Sequence, residues 1–249
     1  MNRRSFIATL PALAAARALL AAGQTAGAAL RLGLCTFSCH QHWKAVQGKQ
    51  PGTQFTDARG FYDYTRGLGG DGVQASLRGK DSAFARGLRA HVEKTGGYYE
   101  GDIALPKSES GLAAFEAEVR LVREAGGTVA RSVLLGSRRY ETFKTREEFL
   151  EFRAQGARRL AMVEPVLRKH GLALALENHK DQTATELVEM LRQFSSEWLG
   201  VNVDTGNNIA LLEEPHAVVE ALAPFARSVH LKDMAVQPSA DGFLLSEIP

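Results

Sequence analysis

Three short apolar segments in the second half of the sequence each end in a side chain that can bind a divalent metal. Leu-Ala-Leu-Ala-Leu precedes Glu177, Leu-Gly-Val-Asn-Val precedes Asp204, and Ser-Val precedes His230. Glu177 and Asp204 are 27 residues apart, and Asp204 and His230 are 26 apart. This is about the length of one strand, one helix and their loops. Because successive parallel strands end at the same pole of a repeating α/β fold, we expect the three side chains to lie close together.

The same alternation of strand-like and helix-like segments runs through most of the chain. Predicted strands are Arg31–Phe37, Gly72–Ser76, Tyr98–Leu105, Thr128–Leu135, Leu172–Glu177, Gly200–Asp204 and Val229–Lys232. Predicted helices are Asp57–Leu68, Ser82–Thr95, Gly111–Ala125, Arg146–His170, Ala184–Phe194 and His216–Ala226. The pattern predicts an α/β fold, a (β/α)8 barrel with about seven strands present. The segment Gly242–Pro249 contains no further strand–helix unit, so we expect an open barrel or a missing C-terminal unit.

The first 28 residues have the pattern of an export signal instead of a folded segment. Arg3-Arg4-Ser-Phe-Ile precedes an apolar, alanine-rich stretch that ends in Ala-Gly-Ala28, as in twin-arginine signal peptides. Pro11 and Arg17 interrupt this stretch, which disfavours a stable membrane span. We therefore predict a signal over residues 1–28, a periplasmic or otherwise exported protein, and one domain over residues 29–249. A helix that belongs to the domain is the alternative for this segment.

The charge of the predicted mature chain excludes broad nucleic-acid binding. Residues 1–28 contain three of the 30 basic residues and none of the 28 acidic ones, so 27 basic residues remain against 28 acidic residues. A nearly neutral domain lacks the basic surface that nonspecific binding to nucleic acids requires. We expect a small-molecule partner instead.

Carboxylate and imidazole side chains are typical ligands of catalytic divalent metals. Glu177, Asp204 and His230 together could bind one Mn²⁺, Co²⁺, Zn²⁺, Mg²⁺ or Fe²⁺ ion. The residue types do not identify which of these metals is bound. Each carboxylate also has an alternative interpretation when it is considered alone. Glu177 could be an acid at the end of a strand that caps a loop, and Asp204 could be the N-cap of the next segment. Their equivalent positions at three strand ends favour a shared metal site.

The segments around these residues resemble the sugar phosphate isomerase/epimerase family, whose fold is a xylose isomerase-like TIM barrel. The matching segments are Leu-Glu177-Asn-His, Val-Asp204-Thr-Gly-Asn and Val-His230-Leu-Lys-Asp, and the resemblance extends from about Arg31 to Met234. In that family a Glu, an Asp, a His and a final Glu from four strands hold one divalent metal. The resemblance implies that Glu177, Asp204 and His230 are the first three of these ligands.

Two departures from the family pattern bear on activity. The final Glu, which together with the first supplies the two acid/base groups of the family's epimerases, has no assigned counterpart, because no apolar run of strand length ends at Glu247. Asn207 stands where many of the sugar epimerases carry a His, and an Asn can bind a hydroxyl but cannot titrate. Glu177 is therefore the one predicted catalytic base.

Four further residues complete the predicted site. We expect His179, Asn207 and Lys232 to contact the substrate, and Asp233 to pair in the second coordination sphere of the metal. A solvated loop histidine is the alternative for His179, and a structural ion pair is the alternative for Lys232. Trp43 lies in a predicted loop after the first strand, where it could line a sugar pocket or belong to a simple surface loop.

The leading functional hypothesis is a metal-dependent isomerase or epimerase that moves a proton next to the carbonyl of a small sugar or polyhydroxy ketone. A barrel that has lost its fourth ligand and binds carbohydrate without catalysis is the main alternative. An apurinic endonuclease-like hydrolase is disfavoured, because such enzymes need more metal ligands and a basic face. An oligomer is compatible with the sequence.

Overall fold

The structure is a computed structural model that describes residues 30–248. The predicted export signal lies outside these residues. Nine strands are described: β1 Gly33–Cys35, β2 Gly72–Ala75, β3 Tyr98–Asp102, β4 Val129–Ser132, β5 Ala173–Glu177, β6 Leu199–Asp204, β7 Ala226–His230, β8 Asp233–Ser239 and β9 Gly242–Ile248. Eight α-helices are described: α1 His40–Gln47, α2 Ala58–Gly67, α3 Ser82–Lys94, α4 Leu112–Glu124, α5 Arg139–Thr142, α6 Arg146–His170, α7 Ala184–Arg192 and α8 Pro215–Leu222. Short 3-10 helices lie at Thr36–Cys39, Glu109–Gly111, Asn207–Leu211 and Ala223–Phe225.

The chain divides into two compact units. The first contains the described residues up to Gly101 together with Glu124–Gly127. In it, β2 pairs in parallel with β1 and with β3, and the core includes Phe61, Tyr62 and Leu88.

The second unit contains Asp102–Arg123 and the described residues from Thr128 onward. Strands β4, β5, β6 and β7 pair in parallel in chain order. Leu174, Ala175 and Leu176 in β5 are at most 1% exposed, on both faces of the strand. Continuous apolar runs of this kind are typical of parallel strands covered on both sides. In β5 and β6 the one charged residue is accordingly the last one, Glu177 and Asp204 respectively.

Helix α6 leads the chain into β5, and both of its ends have clear signals. Thr145 accepts a hydrogen bond from the backbone N–H of Glu148, and the Glu148 side chain accepts one from the backbone of Thr145. This reciprocal arrangement is a capping box. At the other end, Gly171 has a left-handed backbone with φ of 62°, which glycine adopts without steric cost. The sequence predicts this helix at the bounds that the structure shows.

The structure differs from the sequence prediction at three places, one of them the short helix α5, which was not predicted. The predicted loop after the first strand is the 3-10 helix Thr36–Cys39 followed by α1, which contains Trp43. Beyond β7 the structure has an antiparallel hairpin, β8 and β9, in the segment where no further strand–helix unit was predicted. The seven predicted strands are all present, with ends that differ from the prediction by at most three residues. No helix among residues 30–248 has the length and apolar character needed to cross a membrane.

The capping box predicts a specific loss of stability. We expect Thr145→Ala to lower the free energy of unfolding by about 1 kcal/mol, because the first turn of α6 loses its side-chain acceptor. Urea denaturation followed by circular dichroism measures the change. Thr145→Ser keeps the oxygen and should retain most of the stability; equal losses in the two variants would contradict the capping role.

Candidate metal centre

The last residues of β5, β6 and β7 are Glu177, Asp204 and His230. One ligand atom from each lies within 4.8 Å of the others. The pairing of β6 with β7 sets Asp204 directly beside His230, and Glu177 lies beside Asn202, two residues before Asp204. Glu177 and Asp204 are buried, while His230 is partly exposed. The three side chains that the sequence singled out therefore converge at one end of the sheet.

The donor set fits a divalent ion. Two carboxylate oxygens and one imidazole nitrogen at this separation match the mixed ligands of catalytic Mn²⁺, Co²⁺, Zn²⁺, Mg²⁺ and Fe²⁺ sites. Among residues 30–248, this is the one group of three or more His, Cys, Asp or Glu side chains close enough to share an ion. A second metal site of the kind expected for the endonuclease alternative is not found in this part of the chain.

Two side chains hold the Glu177 carboxylate. Arg131 donates from Nε to Oε2 at 2.6 Å, and Asn207 donates from Nδ2 to Oε1 at 2.9 Å. Burial raises the pKa of Glu177 more than any single neighbour lowers it, but Arg131, His230 and His179 together outweigh burial, and the pKa lies below its ordinary value. Glu177 is therefore ionised at neutral pH, as a metal ligand must be.

Arg131 is shared between two acids. Its Nη1 donates to Oδ1 of Asp102 at 3.2 Å. Burial lowers the pKa of Arg131, but the charges of Glu177 and Asp102 more than compensate and raise it. The guanidinium thus remains charged and fixes the orientation of the Glu177 carboxylate.

The two carboxylate oxygens of Asp204 have different partners. Its Oδ1 accepts hydrogen bonds from the backbone N–H groups of Gly206 and Asn207, at 2.9 and 2.8 Å. Its Oδ2 lies 3.8 Å from Nζ of Lys232. Burial raises the pKa of Asp204, and Lys232 opposes this shift. Gly206, not Asp204, is the N-cap of the next 3-10 helix, so the capping alternative is wrong, although Oδ1 binds the backbone that leads into this helix.

Close packing explains why the motif Asp-Thr-Gly-Asn has a glycine at position 206. A Cβ at Gly206 would lie 2.7 Å from Cγ of Met234 and 3.4 Å from Cδ of Lys232. The close approach lets Lys232 Nζ donate to Oδ1 of Asn207 at 3.0 Å. Asn207 thus connects Lys232 to Glu177, and the structure brings together these two predicted substrate-binding residues and the proposed ligands.

Asn178 ties the ends of β5 and β6 together. Its Oδ1 accepts from the backbone N–H of Asp204 at 2.8 Å, and its Nδ2 donates to the carbonyl of Asp204 at 2.9 Å and to Oδ1 of Asn208 at 3.0 Å. The side chain is fully buried. Asn178 therefore fixes the backbone that carries Asp204.

The remaining predicted residues have different surroundings. His179 donates from Nδ1 to the carbonyl of Leu135 at 3.1 Å. Burial is the main cause that lowers the pKa of His179. Asp233 is exposed, and its Oδ1 accepts from the N–H of Met234. In the first unit, the Trp43 ring packs 5.2 Å from Phe55 and belongs to an aromatic cluster.

Sequence reasoning missed Arg131, Asp102 and Asn178. Asp102 is the last residue of β3, but the predicted strand continues to Leu105, so the sequence has no strand-end signal at Asp102. Arg131 is the one charged residue in β4, and a charge within a short, partly buried strand requires a partner. Asn178 gave no comparable signal, because its role depends on the pairing of β5 with β6.

The ion pair between Arg131 and Glu177 predicts a pH-dependent stability. In Arg131→Met, burial without the guanidinium raises the pKa of Glu177, and we expect the metal-free protein to lose about 3–5 kcal/mol at neutral pH. Because the pKa of Glu177 is depressed in the native protein, the stabilisation exists above its unfolded pKa and is lost as the pH falls through its folded pKa. The difference between the two proteins should therefore shrink in acid. Urea denaturation across a pH series in chelator measures it, and a difference independent of pH would contradict the assignment.

Comparison with known proteins agrees with this architecture. The family model described as the xylose isomerase-like TIM barrel matches residues 63–243. A probable 3-DHS dehydratase, AsbF, from Bacillus anthracis has a similar structure, with a TM-score of 0.63, 17% identity, and coverage of 85% of this chain and 75% of that chain. The structure of a D-psicose 3-epimerase in the presence of D-fructose is similar with a TM-score of 0.60, 17% identity, and coverage of 70% and 67%.

A closer sequence relative covers a smaller region. The 3-oxo-isoapionate decarboxylase of Pectobacterium atrosepticum is 32% identical over 76 residues, which are 30% of this chain and 28% of that protein. The matched region is thus little more than a quarter of that relative's length. The family model covers most of the described residues and agrees with the strand order and the predicted fold class. The chain therefore belongs to the xylose isomerase-like TIM barrel family.

Proposed function

We propose that the protein is a metal-dependent isomerase or epimerase that acts on a small sugar or polyhydroxy ketone by proton transfer next to the carbonyl. The observation that carries the proposal is the convergence of Glu177, Asp204 and His230 within 4.8 Å at the ends of three parallel strands. These residues would hold one divalent ion. When bound, the ion supplies a Lewis acid that polarises the carbonyl oxygen and stabilises the negative charge formed on it.

Glu177 is the proposed proton acceptor. It is ionised at neutral pH, and Arg131 and Asn207 hold its carboxylate in one orientation. The carbon–hydrogen bond next to the carbonyl breaks, its electron pair forms the enediolate, and the proton passes to Glu177. Glu177 then returns this proton to the former carbonyl carbon, while the proton of the neighbouring hydroxyl passes to the former carbonyl oxygen, which completes an isomerisation with one carbon base.

Inversion at a single carbon needs a second group on the opposite face of the substrate. Lys232 is our candidate, because its ammonium group lies 3.0 Å from Oδ1 of Asn207 and 3.8 Å from Oδ2 of Asp204. Its proton can be delivered to carbon while Glu177 keeps the proton it removed. Isomerisation thus requires Glu177 alone, whereas epimerisation requires both residues.

Decarboxylation of a 3-oxo sugar acid is a second candidate, favoured by a specific observation. The lowered pKa of Glu177 makes it a weak base, and decarboxylation removes no proton from carbon. The carbon–carbon bond breaks, CO₂ leaves, and the resulting enolate takes a proton from water. The relative from Pectobacterium atrosepticum is named as a decarboxylase. Release of CO₂ from such an acid would support this candidate, and its absence would remove it.

Export is part of the proposal. The twin-arginine pattern in residues 1–28 favours passage of a folded protein across the inner membrane. Cell fractionation of the full chain beside an Arg3→Lys, Arg4→Lys variant would test it. Accumulation of the native protein in the periplasm and of the variant in the cytoplasm is expected.

Hydrogen exchange with solvent tests proton transfer directly. Incubated in D₂O with Mn²⁺ and a panel of ketohexoses and ketopentoses, the protein should incorporate deuterium next to the carbonyl of at least one sugar, detected by NMR. Glu177→Gln should reduce the rate by at least about 100-fold, since it removes the base.

Glu220→Gln, on the exposed side of α8, is the matched control and should exchange at the native rate. A metal-loaded protein that binds these sugars without exchange would contradict the proposal and support the noncatalytic alternative.

A further inference from the structure

A chain of buried asparagine side chains leads away from the candidate metal centre. Asn178, which binds the backbone of Asp204, donates from Nδ2 to Oδ1 of Asn208 at 3.0 Å. Asn208 donates in turn from its own Nδ2 to Oε2 of Glu213 at 2.6 Å, and to the carbonyl of Gln182 at 3.3 Å. The two asparagines are at most 2% exposed. Two buried amides therefore connect the carboxylate of Glu213 to the backbone of a proposed metal ligand.

The carboxylate of Glu213 determines the orientation of both amides. An amide group that turns by 180° exchanges its donor and its acceptor, whereas an ionised carboxylate only accepts. Glu213 therefore requires the Nδ2 group of Asn208, and Oδ1 of Asn208 is then directed at Asn178. The Nδ2 group of Asn178 needs this acceptor, because its other hydrogen bond goes to the carbonyl of Asp204. Reversal of Asn208 would place two buried donors against each other, which is unfavourable.

A strained turn brings Glu213 to this position. Leu212 has a left-handed backbone with φ of 62°, although it is 91% exposed and gains little from burial. This conformation is unfavourable for a residue with a Cβ, and it persists where surrounding contacts enforce it. The backbone N–H of Glu213 donates to the carbonyl of Asn208 at 3.1 Å, and its carboxylate accepts from the backbone N–H of Ala184 at 3.0 Å. The contacts of Glu213 thus hold the turn against Asn208 and against the start of α7.

We propose that Glu213 is a positioning residue of the metal centre. It acts through Asn208 and Asn178 to hold Asp204 in place for the ion. This inference rests on the proposed metal ligands and not on the reaction that the protein catalyses. Removal of a group that orients a metal ligand typically lowers metal affinity by about 10–100-fold. Because Glu213 acts through two further side chains, we expect the lower end of this range. The competing interpretation is that Glu213 serves only as a cap of α7.

Glu213→Ala and Glu214→Ala form a matched pair that separates the two interpretations. Both side chains accept a hydrogen bond from the first turn of a helix, Glu213 in α7 and Glu214 in α8, and Glu213 also contacts Asn208. Both variants should therefore unfold at a lower urea concentration than the native protein. Titration calorimetry with Mn²⁺ measures the metal affinity. We expect Glu213→Ala to bind Mn²⁺ about tenfold more weakly, and Glu214→Ala to bind it as the native protein does.

A double-mutant cycle tests the path through Asn208. Asn208→Ala leaves Glu213 its contact with Ala184 and should weaken Mn²⁺ binding by a factor similar to that of Glu213→Ala. The double variant should lose no further affinity, because both changes interrupt the same chain of hydrogen bonds. Glu213→Gln keeps an oxygen that can accept from Asn208 and should recover most of the affinity. Circular dichroism verifies that each variant is folded.

The outcomes distinguish this inference from the proposed function. Native Mn²⁺ affinity in Glu213→Ala, or an equal loss in Glu214→Ala, would overturn the positioning role and leave the metal centre and the isomerase proposal intact. Additive losses in the cycle would overturn the path through Asn208. Should Glu213→Ala fail to fold, native affinity in Asn208→Ala would equally overturn the proposal. Failure of the native protein to bind Mn²⁺ counts against both the positioning role and the proposed function.

Discussion

Charge compensation at the ends of buried strands is the constraint on which the candidate centre depends. Glu177 and Asp204 follow apolar strands and are nearly inaccessible to solvent. Burial of an ionised carboxylate costs several kcal/mol unless a partner compensates it. Arg131 and Asn207 compensate Glu177, and two backbone N–H groups and Lys232 do so for Asp204. The same contacts that stabilise the fold therefore determine where each carboxylate oxygen points.

This compensation affects the chemistry. The contact with Arg131 keeps Glu177 ionised and fixed, which favours metal binding but lowers its strength as a base. Polarisation of the carbonyl by an ion would make the neighbouring carbon more acidic and reduce the strength of base required. Lys232 adds a second positive group near the same space. In the proposed mechanism, the centre would thus combine a weak, well-oriented proton acceptor with a bound ion that activates the carbonyl.

The sequence predicted the features that depend on local pattern. Apolar runs located β5 and β6, and the equivalent ends of the strands indicated that Glu177, Asp204 and His230 converge. Helix α6 was predicted at its observed bounds from its helical periodicity, and its capping residues and terminal glycine are further local signals. Each of these signals lies within a few residues of the feature that it specifies.

Features that depend on tertiary pairing could not be predicted in this way. The contact between Arg131 and Glu177 joins residues 46 positions apart, and the role of Asn178 depends on the alignment of β5 with β6. The β8–β9 hairpin was missed because its residues lack a strong alternating pattern.

A local hydrogen bond bears on the role predicted for Asp233. Its carboxylate accepts from the backbone N–H of Met234, and this contact competes with pairing in the second coordination sphere of the metal.

Metal content of the purified protein tests the central claim most directly. After loading with Mn²⁺ and removal of free ion, elemental analysis should find about one ion per chain in the native protein and much less in Glu177→Ala, Asp204→Ala and His230→Ala. His216→Ala and Glu220→Ala, at exposed positions of α8, should retain the ion. Absence of metal from the loaded native protein, or its retention in all three ligand variants, would contradict the account.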